Sequence, residues 1–217
     1  MPRASALGLV CLASIIVGLT GCGGKIQYPH YYELKVPAAP AALATQTKPA
    51  MGSVSVREFS APSFLRAGAI VYRESPEEIK FYQYHRWAVD PRTAVTNAVV
   101  QELQARGLFE SVARFDGRER SDYLITGRLD ELEEIDNGRD VRVQVRISAQ
   151  LMNIKTGEVV WKGSSAETSG LEHRTMTGLV DQMSQAMQVS VERLVSSMEK
   201  KAEVLSASAV NRDIGQE

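Results

Sequence analysis

Tyr123-Leu124-Ile125-Thr126-Gly127-Arg128-Leu129, then Asn137-Gly138, then Val141-Arg142-Val143-Gln144-Val145-Arg146-Ile147-Ser148-Ala149-Gln150-Leu151 read in succession as strand, turn and strand. Side chains of a strand alternate between its two faces, so Val141, Val143, Val145, Ile147, Ala149 and Leu151 share one side. Arg142, Gln144, Arg146, Ser148 and Gln150 take the other. One apolar and one polar face is the pattern of an antiparallel sheet covered on a single side. Asn-Gly supplies the positive φ angles of a tight hairpin. The first strand extends towards Ile135, which makes Asp130-Glu131-Leu132-Glu133-Glu134-Ile135-Asp136 a solvated strand edge whose like charges discourage aggregation.

Downstream, Thr156-Gly157 turns the chain into a third strand, Glu158-Val159-Val160-Trp161-Lys162-Gly163, with Gly163-Ser164-Ser165 as its exit loop. A long helix is expected over residues 172–203, with Leu179, Met183, Ala186, Met187, Val191, Leu194, Val195 and Met198 as its apolar stripe. Upstream, Ser53-Val54-Ser55-Val56-Arg57-Glu58-Phe59 alternates as a first strand and Pro62 ends it. Ala69-Ile70-Val71-Tyr72-Arg73 and Ile79-Lys80-Phe81-Tyr82-Gln83-Tyr84 flank Glu74-Ser75-Pro76-Glu77-Glu78 as a hairpin with a five-residue connection. Asp90 caps a helix with Pro91 in its first turn, and Gly107 stops it. The order strands, helix, strands, helix predicts an α/β two-layer sandwich. Its sheet is mostly antiparallel and covered on one side by two amphipathic helices. That domain occupies residues 52–205, and residues 206–217 form a disordered tail.

The N-terminus has a different character. Arg3 is followed by an uncharged stretch to Gly24, with an apolar run of about a dozen residues from Ala6, too short for the roughly 20 needed to span a bilayer. The run ends in Leu19-Thr20-Gly21-Cys22, small residues before a cysteine thiol that takes a diacylglyceryl group. Residues 1–21 therefore read as a lipoprotein signal peptide, Cys22 as the lipidated first residue, and 22–51 as a lipidated N-terminus and Ala/Pro-rich tether. Cys11 leaves with the signal and the Cys22 sulfur is acylated, so no intrachain disulfide forms. Gly23, where an aspartate would retain the protein at the inner membrane, predicts outer-membrane sorting with the domain in the periplasm. Tyr31-Tyr32-Glu33-Leu34 is an apolar island in the tether. It either docks on the domain as a short strand or lies at the membrane interface; docking is the preferred reading.

The chain has 217 residues, 44% hydrophobic content and a net charge of −1, enough for one ordinary core and no general attraction for nucleic acid. His30, His85 and His173 lack metal-ligand spacing, no phosphate loop or G-x-S-x-G elbow occurs, and neither a metal, a cofactor nor an enzymatic activity is expected. The segment Tyr82-Gln83-Tyr84-His85-Arg86-Trp87 concentrates the residue types that anchor interfaces. Strict alternation puts Tyr82, Tyr84 and Arg86 on one face and Trp87 on the other. With Trp87 in the core, the Tyr82, Tyr84 and Arg86 row is the candidate partner interface.

The signal with Leu19 to Cys22 and Tyr31-Tyr32-Glu33-Leu34 resembles the opening of the ABC-type transport auxiliary lipoproteins, the PqiC-like group. The likeness continues through Pro62-Ser63-Phe64-Leu65, Ile70-Val71-Tyr72-Arg73 and Tyr84-His85-Arg86-Trp87-Ala88-Val89-Asp90-Pro91. It extends through Gly107-Leu108-Phe109-Glu110-Ser111-Val112 and Asp122-Tyr123-Leu124-Ile125-Thr126-Gly127-Arg128-Leu129. The resemblance implies a non-enzymatic partner of an MCE-type ABC lipid transport system, held at the outer membrane and docking an MCE-domain protein that spans the periplasm. A homo-oligomer is compatible with it. The competing reading is a structural or assembly lipoprotein that activates a cell-envelope machine such as a peptidoglycan synthase. A third, a lipid-modifying hydrolase, requires a buried nucleophile paired with a base.

Overall fold

A computed structural model of the chain describes residues 27–37, 51–118 and 120–214, with residues 203–214 given by their backbone alone. Its strands are β1 (His30–Tyr32), β2 (Met51–Val56), β3 (Ala69–Ser75), β4 (Glu78–Trp87), β5 (Phe109–Arg114), β6 (Tyr123–Asp136), β7 (Val141–Asn153) and β8 (Val159–Gly170). The helices are α1 (Pro91–Arg106) and α2 (Met176–Ile214), and a short 3-10 turn spans Ser63–Ala67. All eight strands belong to one mixed sheet, covered on one side by the two helices, so the architecture is the two-layer α/β sandwich. The longest ladders, β6 with β7 and β7 with β8, are antiparallel.

Strand β6 is central. Its whole length pairs with β7 along one edge; along the other, β2 pairs in parallel with residues 123–125 and β3 with residues 134–135. The sheet therefore forks beyond β6. One branch is β2 then β5, the other β3, β4 and β1.

The expected caps of α1 are in place. The Asp90 carboxylate accepts the Arg92 backbone N–H at 2.9 Å, and Gly107 stands in the left-handed region at φ 62°. Every residue of the predicted α2 stripe is buried. Those side chains join Val143, Val145, Ile147, Leu151 and Trp161 in the core, where α1 adds Val95, Val99 and Leu103. Trp87 is buried, as expected. The helices are tied together by Arg106, whose guanidinium meets Glu102 at 2.6 Å and Glu199 at 2.8 Å.

The structure departs from the sequence expectations in several places. The β3–β4 connection is a two-residue turn at Pro76-Glu77, because cross-strand pairing carries both strands past their apolar patterns. Strand β8 continues to Gly170, so Gly163-Ser164-Ser165 is mid-strand and not an exit loop; pairing with β7 extends it through small residues. Helix α2 begins at Met176 and its backbone stays helical to Ile214, into the segment read as a disordered tail; no glycine or proline interrupts it after Gly178. Strand β5 lacks a clear alternation and had not been anticipated. The acidic segment of β6 is no solvated edge, since both edges of β6 are paired there and Glu133 and Glu134 are only 3% and 5% exposed.

Phe59 reaches into the space that a side chain at position 127 would need. A Cβ at Gly127 would stand 2.3 Å from the Phe59 ring. Gly127→Ala should therefore overpack the core and cost about 1–3 kcal/mol, read as a lower denaturation midpoint. Adding Phe59→Leu should recover part of that loss; a Gly127→Ala protein as stable as wild type would refute the contact.

Candidate functional site

Because both helices lie on one side, the opposite face of β6, β7 and β8 meets water and is built from the polar half of the alternation. Its charges pair across strands. Gln144 donates to Glu131 at 2.6 Å and Arg146 to the same carboxylate at 2.9 Å. Ser148 donates to Asp130 at 2.7 Å, and Arg128 pairs with Asp130 at 2.9 Å. Two shallow hollows lie on this face. One of about 610 Å³ is lined by Ser60, Thr126, Arg128, Ser148, Gln150 and Lys162. The other, of about 480 Å³, is lined by Arg73, Glu131, Glu133, Asn137 and Gln144. The contacts in them are ion pairs and amide or hydroxyl hydrogen bonds, suited to holding a polar surface. The buried Glu133 is neutralised there by Arg73 at 2.8 Å.

A second polar cluster lies on the helix side, where β1, β4 and β6 meet the start of α2. The Tyr82 hydroxyl donates to Glu134 at 2.7 Å, and Tyr72 packs on the Tyr82 ring at 4.8 Å. Parallel pairing of β1 with β4 stacks His30 on His85 at 5.6 Å, and the Tyr32 hydroxyl meets His85 Nδ1 at 3.0 Å. Arg174 closes the far side, donating to the Gly138 and Arg139 carbonyls of the β6–β7 turn. The enclosed space is about 340 Å³. Burial pushes the Glu134 carboxyl above its ordinary range, opposed by the Tyr82 hydrogen bond. Burial and the bond to Glu134 drive the Tyr82 phenol well up, while burial and the neighbouring His30 lower His85. The Tyr82–Glu134 contact is a polar staple between β4 and β6, and its carboxyl is already committed to the phenol.

The candidate interface residues do not form a row. Between the register pairs Ala69–Arg86 and Val71–Phe81, β4 takes five steps where β3 takes two, so β4 bulges. Alternation would put Tyr82 and His85 on opposite faces, yet their rings meet edge to face at 5.7 Å. Tyr82 thus points into the helix-side cluster, Tyr84 is half-buried, and Arg86 is exposed next to its register partner Tyr31. Strand β1 itself docks: Leu34 is buried in the core and the Lys35 N–H donates to Ser184 Oγ at 3.1 Å. The histidine pair was invisible in the sequence, because only the β1–β4 pairing brings positions 30 and 85 together. Cys22 and Gly23 lie outside the described residues. Among the described residues no group of three His, Cys, Asp or Glu could hold a metal, and no helix is long and apolar enough to cross a membrane.

A family model described as ABC-type transport auxiliary lipoprotein component matches residues 32–195. No curated protein matches the sequence. Among solved structures, a Xanthomonas campestris protein from a domain family of unknown function superposes with a TM-score of 0.69 at 19% identity, covering 82% of this chain and 99% of that one. An uncharacterized protein gives a TM-score of 0.61 at 13% identity, covering 79% and 99%. At such identities these two structures establish the fold alone.

The raised Glu134 carboxyl has a signed consequence. Its ionisation costs folding free energy at neutral pH, and that cost disappears below the ordinary carboxylate range, where the group is protonated in both states. Glu134→Gln keeps an acceptor for Tyr82 and removes the ionisation. The variant should therefore melt above wild type at pH 7, with the difference shrinking as pH falls through the carboxylate range. A difference that grows towards low pH would contradict the assignment.

Proposed function

The chain belongs to the ABC-type transport auxiliary lipoprotein component family, and from that premise we propose that it is a lipid-anchored, non-enzymatic docking component of an MCE-type lipid transport system at the outer membrane. The leader over residues 1–21, ending just before Cys22, supports the anchor, and Gly23 after that cysteine supports outer-membrane sorting. The observation that carries the docking reading is the helix-free, ion-paired sheet face. It offers a broad polar surface with charges of both signs, suited to specificity and register more than to raw affinity. The partner is an MCE-domain protein that bridges the periplasm from an inner-membrane transporter. Tyr82 is committed to Glu134, so of the three candidate anchors Tyr84 and Arg86 remain available. We place the docking face on the exposed residues of β7, Arg142 and Arg146, with Gln144 between them.

Three experiments test this. Crosslinked membranes expressing the native lipoprotein should yield the MCE-domain protein and its transporter on affinity purification. Arg142→Glu with Arg146→Glu should weaken that capture by about tenfold or more while lowering the melting temperature only modestly, because exposed ion pairs contribute only ~0–1 kcal/mol each and the like charge set opposite Glu131 costs a similar amount. If Tyr84→Ala and Arg86→Ala weaken capture and the β7 reversals do not, docking lies on the β4 rim. Recovery of a cell-wall synthase in place of the transporter would overturn the transport reading. For sorting, the wild type should fractionate with the outer membrane and Gly23→Asp with the inner; both in the inner membrane would refute the placement.

A further inference from the structure

Large apolar side chains left in water are unevenly distributed in this domain. Among the described residues, the exposed ones are Tyr28 at 74%, Tyr31 at 63%, Phe81 at 45%, Val89 at 39% and Ile154 at 43%. All but Ile154 belong to β1, β4 or the residues flanking them. The pairing explains how they come together. Tyr31 is the register partner of Arg86 on the neighbouring strand. The β4 bulge brings Phe81 within two register positions of Arg86, since Arg86 lies opposite Ala69 and Phe81 opposite Val71. Two strand positions span ~6.6 Å and adjacent strands lie ~4.8 Å apart, so Tyr31, Arg86 and Phe81 form one patch. Val89 sits beside it, because the preceding Ala88 donates its N–H to the Tyr32 carbonyl at 2.7 Å.

This patch lies where the tether arrives. From Cys22 to Tyr28 the chain advances six residues, and to His30 eight, so a fully extended connection reaches ~20 Å and ~27 Å. The core binding of Leu34 and the Lys35–Ser184 hydrogen bond fix the domain end of that tether. Tyrosine and arginine favour the lipid–water boundary, where a ring enters the headgroup layer while its polar tip, or a guanidinium, stays with water and phosphate. Exposed acids flank the patch, Glu33 after β1 and Glu78 at the start of β4, so its attraction for lipid comes from the rings more than from net charge.

We infer that the β1–β4 edge is a membrane-contact surface, in which Tyr28, Tyr31, Phe81 and Val89 enter the headgroup layer and Arg86 meets lipid phosphates. The inference rests on the lipid-anchor reading of Cys22. It gives the domain a set orientation on its membrane, which an acyl anchor on a slack tether does not. Ile154, in the turn between β7 and β8, faces the aqueous side.

The test uses the lipidated full chain in vesicles of phosphatidylethanolamine and phosphatidylglycerol. Acylated Cys22 leaves no other thiol in the mature chain, so Tyr31→Cys, Phe81→Cys and Ile154→Cys each accept a single nitroxide label. All three positions are exposed, and circular dichroism should confirm an unchanged fold. Labels at 31 and 81 should relax faster with oxygen than with a water-soluble nickel complex, and the label at 154 the reverse. Aqueous behaviour at both 31 and 81 overturns the inference. Intact mass separates the two readings: a lipidated chain with aqueous labels sinks the membrane edge alone, whereas a chain without lipid on Cys22 sinks the anchor and the edge together.

Discussion

The rest of the structure depends on β6 having to satisfy its backbone on both edges. A buried strand with unpaired N–H and C=O groups is costly, so every residue of β6 needs a neighbour. Strand β7 supplies one complete edge through a four-residue turn. No single strand supplies the other; β2 takes the beginning and β3 the end, with the isolated Ser60–Arg128 bridge between them. Both additions are parallel, so each requires the chain to travel before it returns. That travel accommodates α1 and β5 on one branch and β4 on the other. Strand β4 in turn provides the edge on which β1, and with it the tether, docks. Pairing both edges also withdraws Glu133 and Glu134 from water. Arg73 from β3 and Tyr82 from β4 answer them, so the branch that buries these carboxylates also supplies their partners.

What could be read in the sequence follows from this arrangement. The β6–β7 hairpin was legible because its turn and its alternation are local. The alternating burial of β7 from Val141 to Leu151 matches the pattern residue for residue. Helix α1 was legible because Asp90, Pro91 and Gly107 act within one turn of the backbone. The parallel partners were not, since no short turn fixes the register of residues more than sixty positions apart, as between Val54 and Tyr123. Strand β5 was missed because its exposed and half-buried residues leave only Phe109 in the core. The acidic run of β6 was misjudged for a related reason. A pattern of charges reports the chemistry of a strand but not whether its edges are covered.

The tyrosine–arginine segment failed differently. Reading faces by parity assumes that no residue is skipped, and the β4 bulge resets the count between Phe81 and Arg86. Tyr82 turned inward to Glu134, and Arg86 was left with Tyr31 on the outer side. The bulge is thus the device that divides one aromatic segment between the helix-side staple and the outer edge. Residue types alone marked the segment as unusual; only the register shows that it serves two sides of the sheet.

The two proposed contacts share the helix-free side of the sheet but fall on different strands. The membrane edge belongs to β1 and β4 and the docking face to β7, with β3 and β6 between them. From β4 to β7 is three strand spacings, ~14 Å. A domain that met the membrane edge-on at β1, with the sheet rising away from the lipid, would leave the β7 face open to an arriving partner. The coupling between anchor and face is also short. If Cys22 carries the proposed anchor, tension on it would load the β1–β4 pairing and the burial of Leu34, a side chain whose removal from the core would cost roughly 1.5–3 kcal/mol. It would then reach α2 through Ser184, on the same helix that packs against β7. Staple and proposed docking face share one sheet with the β1 edge, so an orientation imposed at that edge would be inherited by the face proposed to meet the partner.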